Sequence, residues 1–194
     1  MAYLLGYIYA DGNLGDYPYF RGKYVSVCST DLDTIEKIRR WLKSDHHIIR
    51  RKSDWKNGKD AYTLRIGSHK LYDSLTKYGL YPRKSLTITM PKIPNEYIRD
   101  FVRGYFDGDG CVNLYKTINK NDVVIPRKLG VIFTSGSEKF LEQLATILNK
   151  HIGTKPQNVI RNWTAFQIRY STRDALILFN ELYKDSEKGD YLER

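Results

Sequence analysis

The sequence predicts an α+β protein made of two similar αββαββα repeats in a pseudo-twofold arrangement, one helix of each repeat at the interface and antiparallel sheets forming a saddle. Three observations predict it. An apolar stretch ending in Asp-Gly occurs as Leu4-Leu5-Gly6-Tyr7-Ile8-Tyr9-Ala10-Asp11-Gly12. It returns 98 residues later as Val102-Arg103-Gly104-Tyr105-Phe106-Asp107-Gly108-Asp109-Gly110. The segments after each copy follow one order, and strand-like segments in both halves alternate apolar with polar residues. The halves divide around Met90-Pro91-Lys92-Ile93-Pro94, giving repeats over 1–90 and 91–194, each large enough to bury a core.

Each copy of the stretch reads as a helix. Gly6 and Ala10 stand four apart, as do Gly104 and Gly108, so each pair lines one helix face. A face of small residues lets two helix backbones approach closely. Pro94 and Asn95 start the second helix, with Tyr97, Ile98, Phe101, Val102 and Tyr105 at helical spacing. Packing of the two copies brings Asp11 and Asp109 side by side. Two such carboxylates repel, which favours a divalent cation between them.

After Gly12 comes a turn-rich run from Asn13 to Tyr19, then an aromatic and β-branched stretch ending Tyr24-Val25-Ser26-Val27-Cys28, which reads as two strands joined through Arg21-Gly22-Lys23. Thr30-Asp31 opens a helix with Leu32, Ile35, Ile38 and Leu42 on one face. Strands around His47 to Arg51 and Tyr62 to Ile66 flank a turn at 55–59, and a helix with Leu71, Leu75 and Tyr78 stops at Gly79. In the second half Cys111 to Ile118 and Leu129 to Phe133 read as strands. Ser135-x-x-Glu138 reads as a capping box for a helix with Leu141, Leu144 and Leu148 inward. Strands near Asn158 to Arg161 and Ala165 to Tyr170 precede a helix carrying Ala175, Leu178 and Leu182. Ile35, Glu36, Ile38 and Leu42 align with Leu141, Glu142, Leu144 and Leu148 at one offset. Tyr62-Thr63-Leu64-Arg65 aligns with Phe166-Gln167-Ile168-Arg169 at another.

Thirty-two Lys and Arg against 22 Asp and Glu leave a net charge of +10, which points to a polyanion. No apolar run approaches the ~20 residues of a spanning helix, and the basic residues are scattered, so nucleic acid is favoured over membrane. Tyr62, Leu64 and Ile66 fall on one face, with Thr63 and Arg65 on the other. Phe166, Ile168 and Tyr170 likewise oppose Gln167 and Arg169. A polar face of this kind can lie in a major groove, where Arg reads guanine and Gln reads adenine. Any antiparallel sheet over helices also shows a polar outer face. Arg21, Lys23, Arg50, Lys116 and Arg161 are further candidates for the same surface. Cys28 and Cys111 lack metal or disulfide spacing and read as buried thiols of an intracellular protein without a signal peptide, in cytoplasm, nucleoid or an organelle. His46, His47, His69 and His151 show no zinc spacing. An EF-hand loop starting at Asp107 fails because its twelfth position is Ile118.

The paired motifs resemble those of the LAGLIDADG homing endonucleases, in which two motif helices join two similar halves. The resemblance implies a monomeric, single-chain enzyme that cuts double-stranded DNA at a long asymmetric site, leaving 3′ overhangs. It implies that Asp11 and Asp109 bind the catalytic metals, with the carbonyls of Ala10 and Gly108 as further ligands. Mg2+ is the expected cofactor, Mn2+ a substitute, and Ca2+ an ion that supports binding without cleavage. Lys84, in Tyr81-Pro82-Arg83-Lys84-Ser85, resembles the basic residue that the family places beside the scissile phosphates; an ordinary linker lysine is the alternative. Arg194 aligns with Arg83, so a second-repeat counterpart of Lys84 is missing from the sequence. The first acidic position of the motif is Asp107 in the second copy but Tyr9 in the first, a departure that touches the interface more than catalysis. Two rivals remain: a maturase that binds intron RNA, and a DNA-binding regulator with an inactive site.

Overall fold

The structure is a computed structural model describing residues 1–17, 22–55, 58–118, 120 and 123–184. The first repeat runs α1 (Ala2–Asp11), β1 (Gly12–Tyr17), β2 (Gly22–Ser29), α2 (Leu32–Trp41), β3 (Ile48–Arg51), β4 (Ala61–Gly67) and α3 (His69–Lys77). The second runs α4 (Ile98–Asp109), β5 (Gly110–Ile118), β6 (Val124–Ser135), α5 (Glu138–Ile152), β7 (Ile160–Asn162), β8 (Ala165–Ser171) and α6 (Thr172–Tyr183). Each repeat forms a four-stranded antiparallel sheet, in the orders β1-β2-β4-β3 and β5-β6-β8-β7. The architecture is the α+β double repeat that the sequence predicts.

The motif helices sit in the middle, packed on each other through their small-residue faces. Every residue of α1 from Tyr3 to Tyr9 is buried, and α4 buries Phe101 to Tyr105, then Asp107 and Gly108. α1, apolar all round, has to be enclosed, whereas α4 is amphipathic and leaves Arg99 exposed. The remaining helices are amphipathic and lie on the apolar faces of the sheets. Val25, Val27, Leu64 and Ile66 meet the first set, and Val131, Phe133, Ile168 and Tyr170 the second. Side-chain caps start three of them: Asp31 accepts from the Asp33 amide, Ser68 from Leu71 and Ser137 from Phe140.

Four local expectations are corrected. The cap of α5 is Ser137, not Ser135; Ser135 closes strand β6, and its hydroxyl accepts from the Ser137 amide. The two strands expected after Gly12 are present, but Gly22 and Lys23 are not their junction: they already belong to β2 and pair with Tyr17 and Asp16. Strand β6 begins at Val124, five residues before Leu129, and a bulge at Tyr115/Lys116 accommodates the longer hairpin. Cys28 and Cys111 are exposed, not buried. Cys28 alternates with buried Val25 and Val27 and pairs with Thr63 on the outer face.

Candidate active site

The site begins with glycine. A methyl group on Gly6 would lie 2.0 Å from the Phe101 carbonyl oxygen, and one on Gly104 would lie 1.8 Å from that of Tyr3. Near the end of the contact, a methyl on Gly108 would stand 2.3 Å from the Ala10 Cβ. The backbones of α1 and α4 touch along their length, so their last residues, Asp11 and Asp109, emerge together. Asp11 is half-buried and Asp109 exposed. Both carboxylates act on the same two groups, Lys84 and Tyr105.

Lys84 is not a linker side chain in solvent. It is 5% exposed, and its Nζ donates to the Tyr9 carbonyl at 2.7 Å and, more distantly, to the Ala10 carbonyl at 3.4 Å. Arg83, in the left-handed conformation at φ 58°, turns the chain inward just before it. Burial pushes the Lys84 ammonium below its ordinary range, while Asp109 and Asp11 pull it back up. The linker is held from both sides. The Ser137 hydroxyl donates to the Ile88 carbonyl at 2.7 Å, and a methyl on Gly136 would come within 2.5 Å of the Ser85 carbonyl.

The unequal motif position has a structural counterpart on each side. The Tyr9 hydroxyl donates to the Tyr78 carbonyl at the end of α3. Asp107 accepts instead, from Tyr3 at 2.6 Å across the helix interface and from Tyr183 at the end of α6. Each motif helix is thus tied to the last helix of its own repeat, with donor and acceptor exchanged. Burial raises the Tyr9 phenol far above its usual range, so it stays a donor.

The donor set around the paired helix ends consists of oxygen. It comprises the carboxylates of Asp11 and Asp109 and the carbonyl ends of two helices, where the helix dipoles are negative. Among the described residues, no group of three or more His, Cys, Asp or Glu side chains is gathered to hold a metal. Such a set fits a hard cation that keeps much of its water, and does not fit zinc.

The other predicted residues fall into three groups. Arg65 and Thr63 share the outer face of the first sheet with Ser26 and Cys28, and the Arg65 guanidinium lies 4.7 Å over the Tyr24 ring. Gln167 and Arg169 share the outer face of the second, joined by bonds of 3.0 and 2.7 Å from Arg169 to Gln167 Oε1. Lys116, at the bulge, is exposed; Arg161, on edge strand β7, is exposed too, but its register opposite Phe166 puts it on the helix-facing side of its sheet. Two basic residues are engaged elsewhere: Lys23 bonds Asp73 of α3 at 2.7 Å, and Arg50 lies across from Tyr62 on the helix-facing side and bonds Asp60 at 2.6 Å. Arg21 lies outside the described residues. Arg51 was missed; its register opposite Ala61 puts it on the outer face, a parity visible only once β3 and β4 are paired. Among the described residues, no helix is long and apolar enough to cross a membrane.

Residues 96–183 match the LAGLIDADG-like domain family. Two curated proteins of Methanocaldococcus jannaschii are similar over part of their length. A probable translation initiation factor IF-2 is 35% identical over 59% of this chain, and the DNA-directed RNA polymerase subunit Rpo1C 26% over 80%. The chain spans only 8% and 17% of those two relatives. Among solved structures, the homing endonuclease I-WcaI bound to its DNA recognition sequence superposes with a TM-score of 0.67 at 17% identity, covering 94% of this chain and 80% of that one. Mesophilic variants of the homing endonuclease I-DmoI give 0.63 at 18%, covering 93% and 88%. I-SmaMI, bound to an uncleaved DNA target in the presence of calcium ions, gives 0.59 at 12%, covering 94% and 84%.

Proposed function

This chain carries a LAGLIDADG-like domain over 96–183 within the two-repeat LAGLIDADG fold, and from that premise we propose that it is a site-specific endonuclease for double-stranded DNA. One observation carries the reading: two helix-end carboxylates, Asp11 and Asp109, emerge together from close-packed helices beside a buried lysine, Lys84, that bonds the Tyr9 carbonyl, and the two sheets hold Arg65 and Arg169 on their outer faces. DNA in the structures of I-WcaI and I-SmaMI supports the substrate, and the calcium present with I-SmaMI supports a divalent ion.

A divalent ion, Mg2+ by preference, would be held by Asp11 and Asp109 with help from the Ala10 and Gly108 carbonyls. When bound, it supplies an activated water and stabilises charge on the leaving oxygen. The chain does the remaining work. Close packing of α1 and α4 fixes the separation of the two carboxylates, as an open loop would not. Lys84, anchored on the Tyr9 carbonyl, presents positive charge to the phosphate where negative charge develops. Arg65, Thr63, Gln167 and Arg169 contact base edges, and other Lys and Arg side chains hold phosphates. The product is a double-strand break with 3′ overhangs, made by a monomer.

The test is incubation of the full chain with a randomised duplex library in Mg2+ and, separately, in Ca2+, sequencing cut ends and bound fragments. Discrete cuts in Mg2+, and bound but intact sites in Ca2+, are expected. The Asp11→Asn, Asp109→Asn double variant should bind the same sites in Ca2+ and cut none in Mg2+. Cleavage surviving in that variant would remove the carboxylates from the reaction.

A further inference from the structure

Two of the three tryptophans of this chain stand in solvent at matching places. Trp55 is 84% exposed in the β3–β4 connection and Trp163 is 90% exposed in the β7–β8 connection. The third, Trp41, is half-buried with its ring edge-on to Tyr3. The two connections are equivalent by register, since Arg50 opposite Tyr62 corresponds to Arg161 opposite Phe166.

The backbone at each indole has a defined setting. The Trp55 amide donates to the Ser53 hydroxyl at 3.2 Å, and its carbonyl accepts from Gly58 at 2.9 Å. Asp60 clamps the base of the same loop, accepting from the Ser53 amide and the Arg50 guanidinium. Trp163 occupies the first position of a two-residue hairpin connection, at φ 56°. That conformation favours Gly or Asn and is strained for a bulky side chain. A large apolar ring left in solvent on a hydrogen-bonded residue, Trp55, and on a strained one, Trp163, is placed for a contact made outside the chain.

The topology shows what the rings face. Strand β1 starts directly after Asp11, and the same end of that sheet carries the close of β2, the start of β4 and the close of β3. Trp55 therefore stands at the carboxylate end of its sheet, three strand spacings or about 14 Å across from the start of β1. Trp163 stands likewise relative to Asp109. Resting on the reading that this saddle holds duplex DNA, we propose that Trp55 and Trp163 form an aromatic clamp that contacts the duplex on both sides of the central steps held over Asp11 and Asp109. The rings stack on sugars and base edges exposed where the duplex bends, a contact indifferent to sequence. Neighbouring Arg51 and Lys52 supply the charge that attracts the backbone beside Trp55.

The test uses tryptophan emission and affinity together, with a duplex containing the selected site, in Ca2+. In the Trp55→Phe, Trp163→Phe double variant only Trp41 remains. Wild-type emission should fall on adding the duplex, and that of the double Phe variant should not change. The Trp55→Ala, Trp163→Ala variant should bind roughly ten- to a hundredfold more weakly. Its thermal melting should match wild type, and the double Phe variant should keep most of the affinity. Equal affinity of wild type and the Ala variant, or full quenching of Trp41 alone, overturns the clamp while leaving the endonuclease reading intact. A wild type that binds no duplex overturns both.

Discussion

Tyr9 and Lys84 show how single side chains tie the motif helix to its surroundings. The Tyr9 hydroxyl meets a carbonyl, so only a donor fits there. Tyr9→Phe should cost about 1 kcal/mol, lowering Tm by about 2–4 °C in calorimetry. Tyr9→Asp, which would make the first motif match the second, should cost about 3–5 kcal/mol. An acidic group there would face a carbonyl rather than the hydroxyls that Tyr3 and Tyr183 offer Asp107. A melting temperature for Tyr9→Asp at or above that of Tyr9→Phe would refute this account of the exchanged bond. Lys84 follows the opposite logic. Burying an ammonium is unfavourable, and a methionine fills similar space without that cost. Lys84→Met should therefore melt at or above the wild-type temperature while cleavage in Mg2+ falls about 10²–10³-fold. A variant that melts lower and cuts normally would make Lys84 a structural residue.

At the scale of elements, the contact of α1 with α4 is governed by backbone rather than side chains. Gly104→Ala gains helix propensity, about 1 kcal/mol, but places its methyl 1.8 Å from a carbonyl oxygen that cannot turn aside. The steric term wins. The urea midpoint should fall by the equivalent of about 2–3 kcal/mol or more, and an unchanged midpoint would mean that the helices are not in this contact. Ser137→Ala removes a cap and the tie to Ile88 together, and should cost about 1–2 kcal/mol in the same measurement. These elements also separate what could be read in advance from what could not. The glycine spacing of the motif helices and the alternation of β4 and β8 are local periodicities, visible in any window that contains them. The exposed cysteines and the burial of Lys84 depend on partners tens of residues away. Lys84 meets Tyr9 across 75 positions, and no local pattern encodes that meeting. Arg51 and the two tryptophans became interpretable only after strand pairing fixed which face or end each occupies.

For the whole molecule, a net charge of +10 does not say which cations reach a ligand; the ion pairs do. Lys23, Arg50, Arg99 and Arg103 are spent on Asp73, Asp60, Glu181 and Asp100. Arg65 and Arg169 face outward, away from the helices. If the two repeats together neutralise roughly six phosphates, affinity for duplex DNA should fall about 10³-fold between 50 and 200 mM salt, with a log–log slope near −5. The variants then separate by position rather than by charge. Lys23→Ala removes one positive charge from a side chain already bonded to α3, and should leave the slope and the site preference unchanged. Arg65→Ala removes the same formal charge from the outer face, and should weaken binding by about 1–3 kcal/mol at the selected site and relax preference for one base pair. Both are measured by titrating the selected duplex and single-base variants of it in Ca2+ at several salt concentrations. Equal losses for the two would mean that net charge alone drives binding. Loss confined to Arg65→Ala would mean that the first sheet presents its outer face to the DNA.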